Sequence, residues 1–189
     1  MSVPICVLDT NVLIANPTAI VRFKANNLFI PSIVVEELSD IEKKSTGKAK
    51  ENTRRALQYI LKIITGKTPE EIEKGISISL LSKTVFNKFT PVEEPSGFIF
   101  FQTRPVGTVP TIFSKETNDN EILAVAIALK EKGKEVSIVT NDKSVQIKAS
   151  LQGIPFESFE KEAPAQKKER RKRPRNHTSR RYHSRWGNH

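Results

Sequence analysis

Four acidic residues are the side chains in this sequence with the clearest potential for chemistry. Each stands beside or within an apolar segment, so a fold could bring them together although they are far apart along the chain. Carboxylates that converge repel one another, and such a cluster persists only if a cation or bound protons compensate its charge. Oxygen ligands without Cys or His favour Mg²⁺ or Mn²⁺ over zinc. The four candidate ligands are Asp9, Glu37, Asp119 and Asp142.

Two of these acids come after predicted strands. Asp9 directly follows the apolar run Val3–Leu8, and Asp142 follows Val136–Thr140 after one intervening residue. Continuous apolar runs of this kind are typical of parallel strands that are covered on both faces. Open α/β sheets bind ligands at the carboxyl ends of their strands. We therefore expect both acids at the same edge of one sheet.

The other two acids lie on predicted helices. Glu37 is four residues from both Ile33 and Ile41, which places it at the edge of a core-facing stripe. Asp119 stands three residues before Ile122, above another inward row. This spacing predicts that both carboxylates point toward the sheet.

Each acid also has a purely structural explanation. Asp is a favoured N-cap residue, and taken singly, capping is the better explanation for Asp119 and Asp142. Asp9 could be a turn residue, and Glu37 a solvated helix charge. Coincidence becomes a weaker explanation when all four map to one end of one sheet.

The rest of the chain alternates strands with helices, which predicts an α/β fold. We expect three α/β/α layers around a mainly parallel central sheet with right-handed crossovers. Leu57, Ile60, Leu61 and Ile64 are expected on one buried helix face. The further predicted elements are a strand at Leu28–Ile30, a helix capped by Ser32 and running to about Lys44, helices at Lys48–Ile64, Asn120–Lys132 and Asp142–Gln152, and a last short strand starting at Pro155.

Residues 66–114 interrupt the alternation. The stretch holds five prolines between Pro69 and Pro110 and two strand-like pieces, Ile76–Leu80 and Phe98–Phe101. It is too long for a structureless loop in a compact domain. We expect a β-containing insertion, with a hairpin that partly covers the active-site side. Thr68 is predicted to cap a short helix that begins with Pro69.

The C-terminal segment carries nearly all of the excess charge. Residues 161–189 hold 11 basic and 2 acidic residues, a net of +9 out of the chain's +10. A segment so polar buries too little apolar surface to offset its ordering entropy. We therefore divide the chain into a domain at 1–160 and a disordered basic tail at 161–189.

The tail is a candidate RNA-binding segment. Its Lys and Arg side chains would bind a phosphate backbone through counterion release, and its aromatic residues could stack on unpaired bases. A solubilising tail, or a nuclear import signal at Lys167–Arg175 in a eukaryotic host, remains open. The tail residues singled out for substrate binding are Arg180, Arg181, Tyr182, Arg185 and Trp186.

Cysteine usage and hydropathy limit the cellular compartments in which the protein is expected. Cys6 is the only cysteine, so an intrachain disulfide is impossible and a reducing compartment fits. The N-terminus is not expected to be a signal peptide. No apolar run approaches the roughly 20 residues of a membrane helix. We expect a cytoplasmic protein, or a nuclear one in a eukaryotic host, without membrane association.

Four segments together resemble the PIN domain, a ribonuclease family related to flap endonucleases. The resemblance implies that Asp9, Glu37, Asp119 and Asp142 are its four acids in order. Thr140 matches a hydroxyl residue before the last acid, and Asn11 and Asn120 are polar neighbours in the same motifs. The segments are ICVLDTNVLI, IPSIVVEELSDIEKK, NDNEILAVAIAL and VSIVTNDKSVQIKASLQGI.

The resemblance implies a hydrolytic phosphodiesterase that uses one or two Mg²⁺ or Mn²⁺ ions. Asp9 would be the central ligand, with Asp119 and Asp142 as further ligands. Glu37 would bind metal directly or through water, or orient the nucleophile. Thr140 and Asn11 would support them by hydrogen bonds. Single-stranded RNA cut internally, leaving 5′-phosphate and 3′-hydroxyl ends, is the expected reaction.

Among PIN domains, the sequence is most similar to those fused to PhoH-type ATPases. NTRRA at 52–56 and the β-containing insertion carry this likeness. No ATPase module is found within the 189 residues. Gly66-Lys67-Thr68 is not a phosphate-binding loop, since such a loop needs glycine at position 61, which is leucine. We therefore expect no nucleotide hydrolysis.

Three basic residues near Glu37 are further candidates for contacting RNA, namely Lys48, Arg54 and Arg55. A solvated helix face explains them equally well. Two rival functions also remain open: a toxin-type nuclease held by a protein inhibitor, and a non-catalytic RNA-binding scaffold on a PIN fold. A homodimer or a ribonucleoprotein partner is compatible with the sequence.

Overall fold

Short apolar runs along the chain assemble into one sheet of six strands. The computed structural model describes residues 3–21, 26–79, 97–105, 108, 113 and 117–159. The strand order is β3-β4-β2-β1-β5-β6, and every neighbouring pair is parallel except β3 with β4. The strands are β1 (Ile5–Leu8), β2 (Asn27–Ile30), β3 (Ile76–Ser77), β4 (Phe98–Phe101), β5 (Val136–Val139) and β6 (Phe156–Glu157). The predicted mainly parallel sheet is confirmed.

Helices flank this sheet and complete the predicted three-layer α/β fold. Helix α5 packs on β1 and β5, and α6 packs against α5 and β6, whereas α1, α2 and α3 pack against one another. None of the described helices is both long and apolar enough to cross a membrane. The helices are α1 (Thr10–Ala15), a 3₁₀ helix (Pro17–Val21), α2 (Ser32–Lys44), α3 (Gly47–Ile64), α4 (Pro69–Lys74), α5 (Asn118–Glu131) and α6 (Lys143–Leu151).

The register of the two central strands positions the candidate site. All residues of β1 and β5 are buried, as their unbroken apolar sequences predict. Leu8 pairs with Val139, so both strands end at the same level. The Asp9 amide then donates to the Val139 carbonyl at 3.1 Å, which extends the ladder by one bond. Asp9 and Thr140 therefore emerge side by side from the sheet.

Two local predictions about the helices are wrong. Ser32 does not cap α2, because Pro31 occupies the N-cap and Ser32 is the first helical residue. The Ser32 amide instead donates to the Gln102 side chain at 3.1 Å. Leu61 is 61% exposed, because the buried face of α3 is centred on Ala56, Ile60 and Ile63, and Leu61 points away from it.

The described strands of the insertion widen the central sheet, and the predicted covering of the active-site side falls on insertion residues outside the described part of the chain. Strands β3 and β4 are antiparallel to each other, but β4 pairs in parallel with β2. The predicted short helix is confirmed, since Thr68 and Glu71 form a capping box and Pro69 opens α4. Residues 80–96 and most of 106–116 lie outside the described residues, as does the predicted basic tail at 161–189.

Gly97 allows the insertion to join the sheet, because its backbone lies against that of Asn26. A Cβ atom at position 97 would stand 2.1 Å from the Asn26 carbonyl oxygen. The Gly97 carbonyl also accepts from the Ile78 amide at 2.9 Å, so the backbone has little room to move.

We expect Gly97→Ala to lower the free energy of unfolding by about 3 kcal/mol or more, because the added methyl group overpacks a backbone contact. Urea denaturation measures the loss. Gly66→Ala is the control, since its Cβ would meet nothing within 4 Å and only the φ of +75° is unfavourable; that costs about 1–2 kcal/mol. Equal losses in the two variants would contradict the steric role of Gly97.

Candidate active site

Asp9 is the most enclosed acidic side chain of the candidate site. It occupies the N-cap of α1 directly after β1 and is only 4% exposed. Its Oδ2 accepts hydrogen bonds from the Asn11 Nδ2 and the Thr140 hydroxyl. Among the described residues, its Oδ1 accepts only the long 3.4 Å contact from the Asn11 amide. Two bonds therefore fix the carboxylate and leave one oxygen lightly engaged.

Thr140 connects the turns that follow the two central strands. Its fully buried hydroxyl donates to Asp9 and accepts from the Asn11 Nδ2 at 3.2 Å and from the Asp142 amide at 3.0 Å. The Asn11 Oδ1 in turn accepts from the Asn141 amide at 3.1 Å. This network holds the turn after β1 against the turn after β5.

Glu37 reaches the site from α2. The Thr10 hydroxyl, which is itself buried, donates to the Glu37 Oε2 at 2.7 Å. Sequence reasoning singled out Asp9 and Asn11 but missed Thr10 between them. The available signal was its position, because the first residue of a helix that follows a strand end lies at the same edge of the sheet.

Asp119 reaches the site from the first turn of α5, two residues after the N-cap Thr117. Its side chain is 39% exposed, and its Oδ2 lies 4.0 Å from the Lys148 ammonium. The neighbouring Asn120 is buried, and its Oδ1 accepts from Lys148 at 2.8 Å. Lys148 was also missed, although its spacing of three residues from Val145 marks an inward position on α6.

Asp142 stands apart from the other three acids. It is exposed and caps α6, with its Oδ1 accepting from the Ser144 amide at 2.6 Å and the Val145 amide at 3.4 Å. The capping explanation therefore holds for Asp142, whereas Asp119 lies inside its helix. Thr140 links Asp142 to Asp9, because its hydroxyl accepts from the Asp142 backbone amide and donates to the Asp9 carboxylate.

The electrostatics of Asp9 reveal which acids act on one another. Burial is the main cause that raises the pKa of Asp9 from 3.8 to about 6. The hydrogen bonds from Thr140 and Asn11 oppose the rise, and the negative charges of Asp119 and Glu37 add to it. Three of the four predicted acids are thus electrostatically coupled, and Asp142 is not among the causes.

The donor set suits a hard divalent cation. Within the described ranges, no group of three or more His, Cys, Asp or Glu side chains is spaced to hold a metal ion. Asp9 nevertheless carries an ionised form that burial and two neighbouring carboxylates disfavour, and a cation bound by these oxygens would remove that penalty. The oxygen-only donor chemistry of these residues is of the kind that Mg²⁺ or Mn²⁺ prefers.

A cavity of about 450 Å³ opens along α2 beside this cluster. It joins the Glu37 side of the site to the start of α5, and its walls combine apolar and acidic side chains. The lining residues are Ile33, Glu36, Glu37, Asp40, Ile41, Lys44, Ser45 and Asn118.

The basic residues predicted near Glu37 are engaged in local contacts. Arg54 pairs with Glu42 of α2 at 2.9 Å, and Arg55 pairs with Glu51 one turn earlier on α3. Asn52, in the same NTRRA motif, donates to the Ile14 carbonyl at 2.8 Å. The motif thus fastens α3 to α1 and α2. Lys48 is exposed, and Arg180, Arg181, Tyr182, Arg185 and Trp186 lie outside the described residues.

A buried aspartate at the end of β1, near acids from two helices at the edge of a parallel sheet, is the arrangement expected from the sequence resemblance to PIN domains. The family described as "PIN domain" matches residues 6–160, and the chain belongs to this family. PIN domains are generally nucleases, typically dependent on divalent metal, so a nuclease-type function follows in general. The resemblance predicted from the four motifs is confirmed.

Curated relatives agree with this placement. The chain is 33% identical over 162 residues to Protein PhoH2 of Bacillus subtilis (strain 168), a match that covers 82% of this chain and 33% of that protein. It is 26% identical over 155 residues to Protein PhoH2 of Mycolicibacterium smegmatis, covering 81% of this chain and 31% of that protein. The chain therefore spans about a third of the length of the curated relatives it matches.

One solved structure is also similar, described as a domain of a functionally unknown protein from Methanocaldococcus jannaschii DSM 2661. Its TM-score is 0.48 at 19% sequence identity, and the match covers 87% of this chain and 96% of that one.

We expect Asp9→Asn to stabilise the metal-free protein above pH 6. Because the folded-state pKa of Asp9 lies above its ordinary value, the native state favours the protonated form. The contribution of Asp9 to the free energy of unfolding is therefore most favourable below about pH 4, and it is lost as the pH rises through 6. A change from 3.8 to about 6 corresponds to about 3 kcal/mol at most. Urea denaturation in EDTA at several pH values measures the difference between variant and wild type.

Asp40→Asn is the matched control for this measurement. Asp40 is exposed on α2, and Lys44 lowers the pKa of its carboxyl group. The control should gain no stability above pH 6. A difference between Asp9→Asn and wild type that stays constant from pH 4 to pH 8 would contradict the raised pKa.

Proposed function

We propose that this protein is a divalent-metal-dependent ribonuclease that cleaves single-stranded RNA internally. The observation that carries the proposal is the buried Asp9 carboxylate, held by Thr140 and Asn11 and exposed to the charges of Asp119 and Glu37. The general nuclease character of the PIN family supports the reaction class. RNA as the substrate and internal cleavage go beyond this family-level support.

Each acid has a distinct part in the proposed mechanism. Asp9 is the central metal ligand, because its Oδ2 is fixed by two hydrogen bonds and its Oδ1 is lightly engaged. Asp119 and Glu37 are ligands from two different helices, and the Thr10 hydroxyl restricts the Glu37 side chain. Asp142 contributes its second oxygen, or a water held by it, from the edge of the site.

Bound Mg²⁺ or Mn²⁺ would lower the pKa of a coordinated water and clamp the scissile phosphate. The protein supplies rigid placement: Thr140 and Asn11 keep the turns after β1 and β5 in contact. Asn120 supports the start of α5 through Lys148. The products would carry 5′-phosphate and 3′-hydroxyl ends, in keeping with the family resemblance.

RNA binding is assigned mainly to the basic segment at 161–189. Its 11 Lys and Arg residues supply charge that the acidic site lacks. Lys48 is exposed and available to a substrate, whereas Arg54 and Arg55 would first have to leave their acidic partners. The proposed location is the cytoplasm, or the nucleus in a eukaryotic host, which the free thiol of Cys6 supports.

We expect the wild-type chain to cleave a labelled single-stranded RNA in Mn²⁺ and to lose this activity in EDTA. Asp9→Asn, Asp119→Asn and Glu37→Gln should each lower the rate about 100-fold or more, because each removes a ligand of the metal ion whose positive charge would stabilise the transition state. Glu36→Gln is the matched control for Glu37→Gln, since Glu36 is the exposed neighbour on the same helix. Gel analysis of the products measures the rate and the position of the cuts.

Two results would overturn the proposal. Cleavage that survives both EDTA and Asp9→Asn would exclude a metal-dependent reaction at this site. Tight RNA binding without any cleavage in Mn²⁺ or Mg²⁺ would favour a non-catalytic scaffold on the PIN fold.

We expect truncation after Ala163 to weaken RNA binding, to lessen its salt dependence and to leave the fold intact. Each lost contact between a tail cation and a phosphate should reduce the slope of log affinity against log salt by about 0.7. Fluorescence anisotropy in EDTA at several salt concentrations measures the slope. Tyr182→Ala with Trp186→Ala is the control, because it removes only stacking and should keep the slope. An unchanged slope after truncation would refute the tail's role.

A further inference from the structure

Lys148 is a basic side chain placed among the acids of the candidate site. It extends from α6 toward the start of α5, and its side chain is only 22% exposed. Its ammonium donates to the Asn120 Oδ1 at 2.8 Å and lies 4.0 Å from the Asp119 Oδ2. The ring centroid of Phe113 is 5.7 Å away. A lysine side chain as covered as this one needs an explanation, because Lys side chains are mostly exposed in folded proteins.

The packing of α5 against the rest of the domain does not require Lys148 at this position. Helix α5 is already held by its buried apolar face, which includes Ile122, Leu123 and Ala126. A second lysine, Lys130, joins α5 to α6 at the opposite end by donating to the Gln152 and Gly153 carbonyls at 3.2 and 2.8 Å. What distinguishes Lys148 is therefore the charge that it brings to Asp119.

No other base in the described part of the chain is paired with any of the four acids. Arg54 pairs with Glu42, Arg55 with Glu51, and Lys43 and Lys44 pair with Asp40. The remaining described pairs, Lys67 with Glu71 and Arg104 with Glu73, belong to the insertion. Lys148 with Asp119 is the single exception.

The geometry points to Lys148 as a built-in counter-charge of the carboxylate cluster, one that competes with the divalent cation for Asp119. In the metal-free protein, the ammonium offsets part of the mutual repulsion of Asp119, Asp9 and Glu37. A divalent cation at the same carboxylates would be repelled by the ammonium. The site therefore binds metal more weakly than its acids alone would allow. When no metal is bound, the ammonium lowers the electrostatic repulsion among the carboxylates. This inference rests on the proposed metal-dependent function.

The test is the affinity of the full chain for Mn²⁺, measured by isothermal titration calorimetry. Lys148→Met removes the charge at similar length, and Lys148→Gln removes the charge while keeping a donor for Asn120. Both variants should bind Mn²⁺ about tenfold more tightly, the order expected for removing one like charge several ångströms from a divalent ion in a solvated site. Lys148→Met should also melt at a lower temperature than wild type in EDTA.

Lys130→Met is the matched control, because it removes the other lysine that joins the same two helices away from the acids. It should lose stability without a change in Mn²⁺ affinity. Asp9→Asn reports Mn²⁺ bound elsewhere on the chain, which is subtracted. Unchanged or weaker Mn²⁺ binding by Lys148→Gln would overturn the counter-charge and leave the proposed function standing. Absence of Asp9-dependent Mn²⁺ binding in the wild-type chain would overturn both.

Discussion

The rest of the site depends on a carboxylate that the fold buries at the end of its central strand. Asp9 continues the β1 ladder through its backbone, so its side chain is carried into the interior whether or not its charge is satisfied there. Water is replaced by two hydrogen bonds that do not fully offset the loss of solvation, which is why the pKa of Asp9 rises. The apolar packing of β1 and β5 holds this unfavourable arrangement in place. Perturbed pKa values of this kind are concentrated at functional sites.

The side chains around Asp9 are arranged so that few of them can move alone. Thr140 contacts Asp9, Asn11 and the Asp142 backbone with one hydroxyl, and Thr10 carries the restraint across to Glu37 on α2. All of these residues except Glu37, which lies within α2, follow a strand end or lie at the start of a helix. A site built from strand ends inherits the rigidity of the sheet, and its geometry is set by register more than by the loops.

The sequence was sufficient for the strands, the bounds of most of the longer helices and the placement of Asp9 at the carboxyl edge of the sheet, because these follow from apolar runs and from the direction of parallel strands. It was insufficient wherever a contact joins residues that no periodicity relates. Gln102 satisfies the Ser32 amide from 70 residues away, and β4 joins β2 although α2, α3 and the first part of the insertion lie between them in sequence. Lys148 and Thr10 were missed for the same reason: only tertiary structure pairs them with Asp119 and Glu37.

Charge distribution links the site to the rest of the chain. Some of the described cations are already paired: the two arginines of α3 pair with nearby acids, and Lys148 is turned toward Asp119. A polyanionic substrate would gain less from these three cations than from unpaired ones, since their charge is partly offset by their acidic partners. The excess positive charge instead lies at 161–189, separate in sequence from every acid of the site. In the proposed function, capture of a phosphate backbone and chemistry on it are assigned to different parts of the chain, and this would let the site remain acidic enough to hold a divalent cation.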